Sequence, residues 1–106
     1  MSIVISIKSK QNGVEALSLV KSAVAAEVAR FELAVELANK RLLLFEKKYN
    51  VTSDHFMSHL AAEDLEGGDE EYVTWSGEYQ LKQRLEQKLA RLMEVEYVPA
   101  DILQPH

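Results

Sequence analysis

From Val14 to Tyr49 the chain contains neither glycine nor proline, and its apolar residues recur at alternating steps of three and four. Val14, Leu17, Val24, Val28, Phe31, Val35, Ala38, Leu42, Phe45 and Tyr49 form this series, with Lys21 at its one polar gap. That spacing is the heptad seam of a coiled-coil-like helix. Asn12 stands where an N-cap is needed, with Glu15 in the first turn, and Lys47 and Lys48 suit the negative end of the helix dipole. The pattern predicts one helix over 13–50, closed by Asn50, a residue that tolerates the left-handed conformation. At 1.5 Å per residue the seam would be about 54 Å long, against roughly 33 Å for the diameter of a globule of this size. Such a helix must lie along another long element.

The rest of the chain offers one. Thr52 or Ser53 can cap a short helix over 52–63 with Phe56, Leu60 and Met57 on its apolar face. Gly67-Gly68 reads as a turn, and Asp69, Glu70 and Glu71 favour a helix N-terminus, which predicts a third helix over 69–95. On it Leu81, Leu85, Leu89 and Leu92 form one stripe and Tyr72, Trp75 and Tyr79 another. The predicted class is all-α: a single domain over 1–106, built as an antiparallel hairpin of two long helices with a short one between them.

Both ends are expected to stay outside the hairpin. Ile3, Ile5 and Ile7 alternate with Val4 and Ser6 at the period of a strand, but nothing later reads as its partner. Residues 1–12 are therefore expected to be an extended arm that pairs with another molecule, packs alone or stays mobile. The stretch 96–106 carries two prolines, Pro99 and Pro105, and is expected to be a non-helical tail with an apolar Ile102-Leu103 pair.

Composition narrows the functions. With 17 acidic and 12 basic residues the net charge is −5, which opposes a phosphate backbone, so nucleic acid is an unfavourable partner. There is no cysteine, hence no disulfide or thiolate metal site, and a cytoplasmic setting is expected. No basic region precedes the apolar start, and no apolar run reaches the ~20 residues that span a bilayer, so no membrane association is expected. No phosphate-binding glycine loop, nucleophile elbow or dinucleotide fingerprint occurs, and no signature sets a nucleophile beside a base. The chain reads as a non-enzyme without a cofactor.

Four groups of residues are candidates for binding. His55, His59 and Glu63 have the spacing of metal ligands on one helical face, but the glutamate that follows the first histidine in a zinc protease is missing, which favours a solvated polar face. The acidic run from Glu63 to Glu71 does not fit an EF-hand loop; Glu66, Asp69, Glu70 and Glu71 could instead dock a basic partner. Tyr72, Trp75 and Tyr79 either grip a ligand or, as we favour, pack against Phe56 and Leu60. Tyr72 and Trp75 enter the candidate binding set only to the extent that they are exposed. Leu33, Leu37 and Leu44 lie off the seam, on the opposite side of the first helix, and a helix apolar on two faces calls for two neighbours. A second copy, first of all in a dimer, or a different protein is the simplest source of the second neighbour; the alternative is a monomer in which the short second helix and the tail cover these leucines. Ile102 and Leu103 complete the set.

The stretch Leu42-Leu-Leu-Phe-Glu-Lys-Lys-Tyr-Asn-Val-Thr-Ser-Asp-His-Phe56, followed by Glu66-Gly-Gly-Asp-Glu-Glu-Tyr-Val-Thr-Trp75, resembles a family of small helical prokaryotic proteins. These carry a Phe-Glu-Lys-Lys-Tyr-Gly-Met-Ser type junction and an acidic Gly-Asp-Asp-Glu turn before an aromatic-rich helix. Asn50 replaces the usual glycine and His55 a usual acid. The resemblance covers roughly 31–92 and implies an antitoxin-like role beside a small toxin of the TumE type, with no catalytic residue carried over. The expected function is thus a protein-binding inhibitor of a toxin; the alternative is a structural or adaptor hairpin that self-associates.

Overall fold

A computed structural model describes residues 2–10 and 12–99. The chain is mostly helical, with two long helices, a short one and a small strand pair. Strand β1 spans Ile3–Ile7, helix α1 Gly13–Tyr49, α2 Ser53–His59, α3 Gly68–Met93 and strand β2 Val95–Pro99. A 3-10 turn at Ala62–Asp64 lies between α2 and α3. These residues form two compact units, one from Leu33 to Glu86 and the other from the described residues up to Glu32 and from Gln87 onward.

Local chemistry accounts for the helix ends. Asn12 Oδ1 accepts the N–H of Glu15 at 3.1 Å, the N-cap bond that satisfies one of the orphan donors of the first turn. At the far end Asn50 adopts φ 53°, the left-handed stop. Thr52 Oγ1 caps α2 by accepting the His55 N–H at 3.1 Å. Leu60 and Ala61 are extended, so α2 ends at His59, short of the 52–63 span expected.

The Leu33–Glu86 unit holds the core. Leu42, Phe56, Leu65 and Trp75 are buried together, with Phe45, Tyr49, Val51, Met57, Leu60, Tyr72 and Tyr79 packed around them. The Trp75 indole stacks on Phe56 at 3.9 Å between centroids and on Phe45 at 5.2 Å. Tyr72 meets the edge of Phe56 at 5.3 Å. Burying an indole requires a partner for its N–H. Trp75 Nε1 donates to Ser53 Oγ at 2.9 Å, and Ser53 Oγ donates to Glu46 Oε2 at 2.7 Å. The same carboxylate accepts the Ser53 backbone N–H at 2.9 Å, tying the start of α2 to the end of α1. Of the seam residues, Ala38 and Leu42 are buried, whereas Val28, Phe31, Val35 and Phe45 are half-covered. Aromatic residues of α2 and α3, more than the seam, make the centre.

The second unit contains the sheet and corrects the expectation that β1 has no partner in the chain. β1 and β2 pair in parallel, with Ile3 opposite Val95, Ile5 opposite Tyr97 and Ile7 opposite Pro99. Val95-Glu-Tyr-Val alternates at the strand period, but the proline at its end reads as a breaker. Ile3 donates its N–H to the Glu94 carbonyl at 2.9 Å, so Ile3, Ile5 and Ile7 bond toward β2. On β2 the bonds come from Glu96 and Val98, and Pro99 falls where no N–H is required. Lys21 of α1 sits over the Tyr97 ring, 6.0 Å from its centroid.

Trp75→Ala is expected to destabilise the protein by about 3–5 kcal/mol, the range for removing a buried aromatic. Ser53→Ala should cost about 1–3 kcal/mol, because it strands the indole N–H. Denaturant unfolding followed by tryptophan emission (for Ser53→Ala) and circular dichroism (for both) measures these values; a Trp75→Ala loss under 1 kcal/mol would remove the indole from the core.

Candidate functional site

The acidic turn between the 3-10 turn at Ala62–Asp64 and α3 is organised around one carboxylate, Glu71. Its Oε1 accepts hydrogen bonds from the Tyr49 hydroxyl and from the Gly67 N–H at 2.6 Å, and its Oε2 accepts from Lys48 Nζ at 2.9 Å. The Tyr49 oxygen in turn accepts the Glu66 N–H at 2.9 Å. Tyr49, then Lys48, then the Gly67 N–H stabilise the ionised form and hold the Glu71 carboxyl at about 2, well below its ordinary 4.5. A Cβ on Gly67 would come within 2.4 Å of Glu71 Cγ, so glycine is what lets the side chain fold back over the turn. Lys48 also reaches Glu66 at 3.6 Å.

Glu71 is therefore committed inside the fold, while Glu66, Asp69 and Glu70 are exposed. In the sequence all four are candidates for docking, and Asp69, Glu70 and Glu71 also suit the helix N-terminus. The sequence signal that separates Glu71 is its position four residues after Gly67, together with Lys48, which the pattern assigns to the helix dipole, and Tyr49, which it assigns to the seam. The aromatic candidates divide likewise. Trp75 is fully buried and leaves the candidate surface, since an anchor must be reachable; Tyr72 is half-buried against Phe56. Tyr79 donates its hydroxyl to Asp54 Oδ1, and this bond raises the phenol above its ordinary pKa.

The leucines stand out. Leu33, Leu37 and Leu44 are 56%, 43% and 72% exposed, and none is among the residues that form the unit's core or pack against it. Steps of four and seven bring all three to one side of α1, opposite buried Ala38 and Leu42. Lys40 stands among them, paired with Glu36 at 3.8 Å on the exposed flank. Leu44 also borders a cleft of about 360 Å³ lined by Arg41, Phe45, Lys48, Glu71, Thr74 and Glu78. In that cleft Arg41 Nε pairs with Glu78 Oε1 at 2.9 Å, while Glu78 Oε2 is buried without a hydrogen-bond partner among the described residues. The structure thus brings Leu44 and Glu71 to one place, and Leu33 and Leu37 to the ridge beside it. Ile102 and Leu103 lie outside the described residues.

The His55, His59 and Glu63 constellation is not assembled. α2 stops at His59, so Glu63 falls on the 3-10 turn and does not continue the helical face. The two imidazoles stack at 4.3 Å between centroids, and His59 Nδ1 lies 2.6 Å from Ser58 Oγ. Among the described residues no group of three histidine, aspartate or glutamate side chains is placed to hold a metal ion. No described helix is long and apolar enough to cross a membrane.

Because the folded pKa of Glu71 is depressed, its contribution to stability is complete above about 4.5 and is lost as pH falls toward 2. Glu71→Gln removes this ionisation. The melting temperature of the parent chain should exceed that of the variant at pH 7, with the gap closing between pH 5 and 2; a gap that is constant over this interval would show that the carboxylate charge does not hold the turn.

Compared with family models, curated proteins and solved structures, the chain has no match.

Proposed function

We propose that this chain is a non-enzymatic, cytoplasmic protein-binding module, an antitoxin-like inhibitor that neutralises a small toxin by covering part of its surface. In this reading the body is an antiparallel hairpin of α1 and α3. Three contacts support that arrangement: Lys48 meets Glu71, Phe45 meets Trp75 and Arg41 meets Glu78, so residue numbers fall along α1 as they rise along α3.

The observation that carries the binding role is the exposed ridge of Leu33, Leu37 and Leu44. Burying a leucine contributes about 1.5 to 3 kcal/mol, so three on one helical face favour a partner that covers them. A large apolar patch on a helix is the usual receptor for another amphipathic element, with charged residues at its rim setting register. The Lys40–Glu36 pair and the Arg41–Glu78 pair supply that rim. The Lys40–Glu36 pair is exposed and adds little stability, which leaves its charges free to serve specificity. Glu66, Asp69 and Glu70 form a second, acidic contact for a basic partner, with Tyr72 half-covered beside them. The alternative, a self-associating adaptor hairpin, uses the same leucines and differs only in the identity of the second chain.

Co-expression with the product of the neighbouring gene tests the reading. The intact chain should restore growth, and Leu37→Glu with Leu44→Glu should abolish rescue and co-purification while helicity and the melting transition are kept. Lysine at Glu66, Asp69 and Glu70, sparing Glu71, should weaken binding at least about tenfold if the acidic turn docks a basic surface. Removal of 100–106, which spares β2, isolates the contribution of Ile102 and Leu103. If the intact chain neither rescues growth nor binds its neighbour, the inhibitor reading fails and the self-associating hairpin takes its place.

A further inference from the structure

The β1–β2 pair leaves β1 with a free side. Ile3, Ile5 and Ile7 direct their backbone groups to β2, so Val4 and Ser6 turn their N–H and C=O groups away from it, and the sheet has no third strand among the described residues. Such an edge is a template for another strand unless charge, proline or a covering element blocks it. On β2 the corresponding edge is interrupted, because Pro99 stands in its outward-bonding register and has no N–H to offer. β1 has none of these devices: Ile-Val-Ile-Ser-Ile carries no charge and no proline. Its Ile3, Val4 and Ile5 side chains remain exposed, Val4 by 54%.

We propose that the open edge of β1 pairs antiparallel with β1 of a second copy of this chain, about a two-fold axis at Ile5, to give a four-stranded sheet in the order β2-β1-β1-β2. The strand reads almost the same in both directions from Ile5. An antiparallel pairing centred there sets Val4 opposite Ser6, the two residues whose backbone groups point outward, and each such pair exchanges both N–H···O bonds. Ile3 then faces Ile7, and Ile5 faces Ile5, so the isoleucines of both copies share one face. Moving the register by one residue would oppose inward-bonded groups to outward-bonded ones and forfeit the ladder.

Charge agrees with a second copy as the occupant. Two chains of net charge −5 repel in general, yet the pairing segment itself is uncharged. At its ends Lys8 of each copy comes opposite Ser2 of the other, so the pairing sets no like charges face to face. The apolar surface agrees as well. Ile3 lines a cleft of about 310 Å³ with Phe31, Leu92 and Val95, and Ile7 of the second copy falls in the row next to Ile3 on that same face. This contact uses neither the leucine ridge nor the acidic turn of the proposed inhibitor.

Sedimentation of the full chain and cysteine cross-linking decide the matter. The parent chain should sediment as a dimer at micromolar concentration. Ser6→Pro removes an outward N–H and spares the β1–β2 ladder, so it should raise the dimer dissociation constant at least about tenfold at unchanged helicity. The chain has no native cysteine, which makes Ile5→Cys a clean register probe. Facing residues at a non-hydrogen-bonded antiparallel position have Cα atoms about 4.5 Å apart, within disulfide range, so Ile5→Cys should cross-link to a covalent dimer under mild oxidation. Val4→Cys alone should not, whereas Ile3→Cys mixed with Ile7→Cys should. A monomeric parent chain overturns the proposal, as does a dimer that Ser6→Pro leaves intact, or one in which Ile5→Cys stays reduced while Leu37→Cys cross-links.

Discussion

An indole cannot be buried without giving its N–H an acceptor, and in this chain the acceptor is a serine at the start of a seven-residue helix. Trp75 reaches Ser53, Ser53 reaches Glu46, and Glu46 also takes the Ser53 backbone N–H. One chain of bonds thereby joins α3, the beginning of α2 and the last turns of α1. The rings of Phe56 and Phe45 stacked on the indole keep water out of it. The network is valuable because it is complete: a buried donor or acceptor left without its partner costs more than a satisfied one contributes. A helix as short as α2 is unstable alone, and its Thr52 cap and its place over Trp75 are what hold it.

A second carboxylate does comparable work at the neighbouring turn. Glu71 gathers a phenol, an ammonium and a backbone N–H, and Gly67 leaves the space for it to do so. The consequence is a division among the acids of the turn. Glu71 is occupied by the fold, and Glu66, Asp69 and Glu70 keep their faces to solvent. Charge density on the surface is therefore less than the run of acidic residues suggests, and three acidic side chains instead of four are exposed. Trp75 is withdrawn from the surface by the same logic, since its burial is a condition of the core.

What remains available to other molecules is mainly apolar. The Leu33, Leu37 and Leu44 ridge and the open edge of β1 belong to different compact units and offer different chemistry, side-chain packing in one case and backbone hydrogen bonding in the other.

Periodicity and capping chemistry were legible from the residues alone. The absence of glycine and proline over 14–49, Asn12 and Asn50 at its ends and Thr52 before α2 specify helices and their limits, because each acts within one or two turns of backbone. The alternation of Ile3, Ile5 and Ile7 likewise announced a strand. Its partner did not announce itself: β2 lies some ninety residues away, ends in proline and pairs in parallel, and only the tertiary fold shows that Pro99 occupies a register position that needs no N–H. The same holds for the sites. His55, His59 and Glu63 share a helical spacing, but α2 stops before the third of them, and no spacing rule reports where a helix loses its packing. Asp69, Glu70 and Glu71 look alike in sequence until Tyr49 and Lys48 are brought to one of them. Residue type and spacing determine local geometry, which is short-ranged; burial and pairing depend on which distant residues arrive, and that was decided by the tertiary structure.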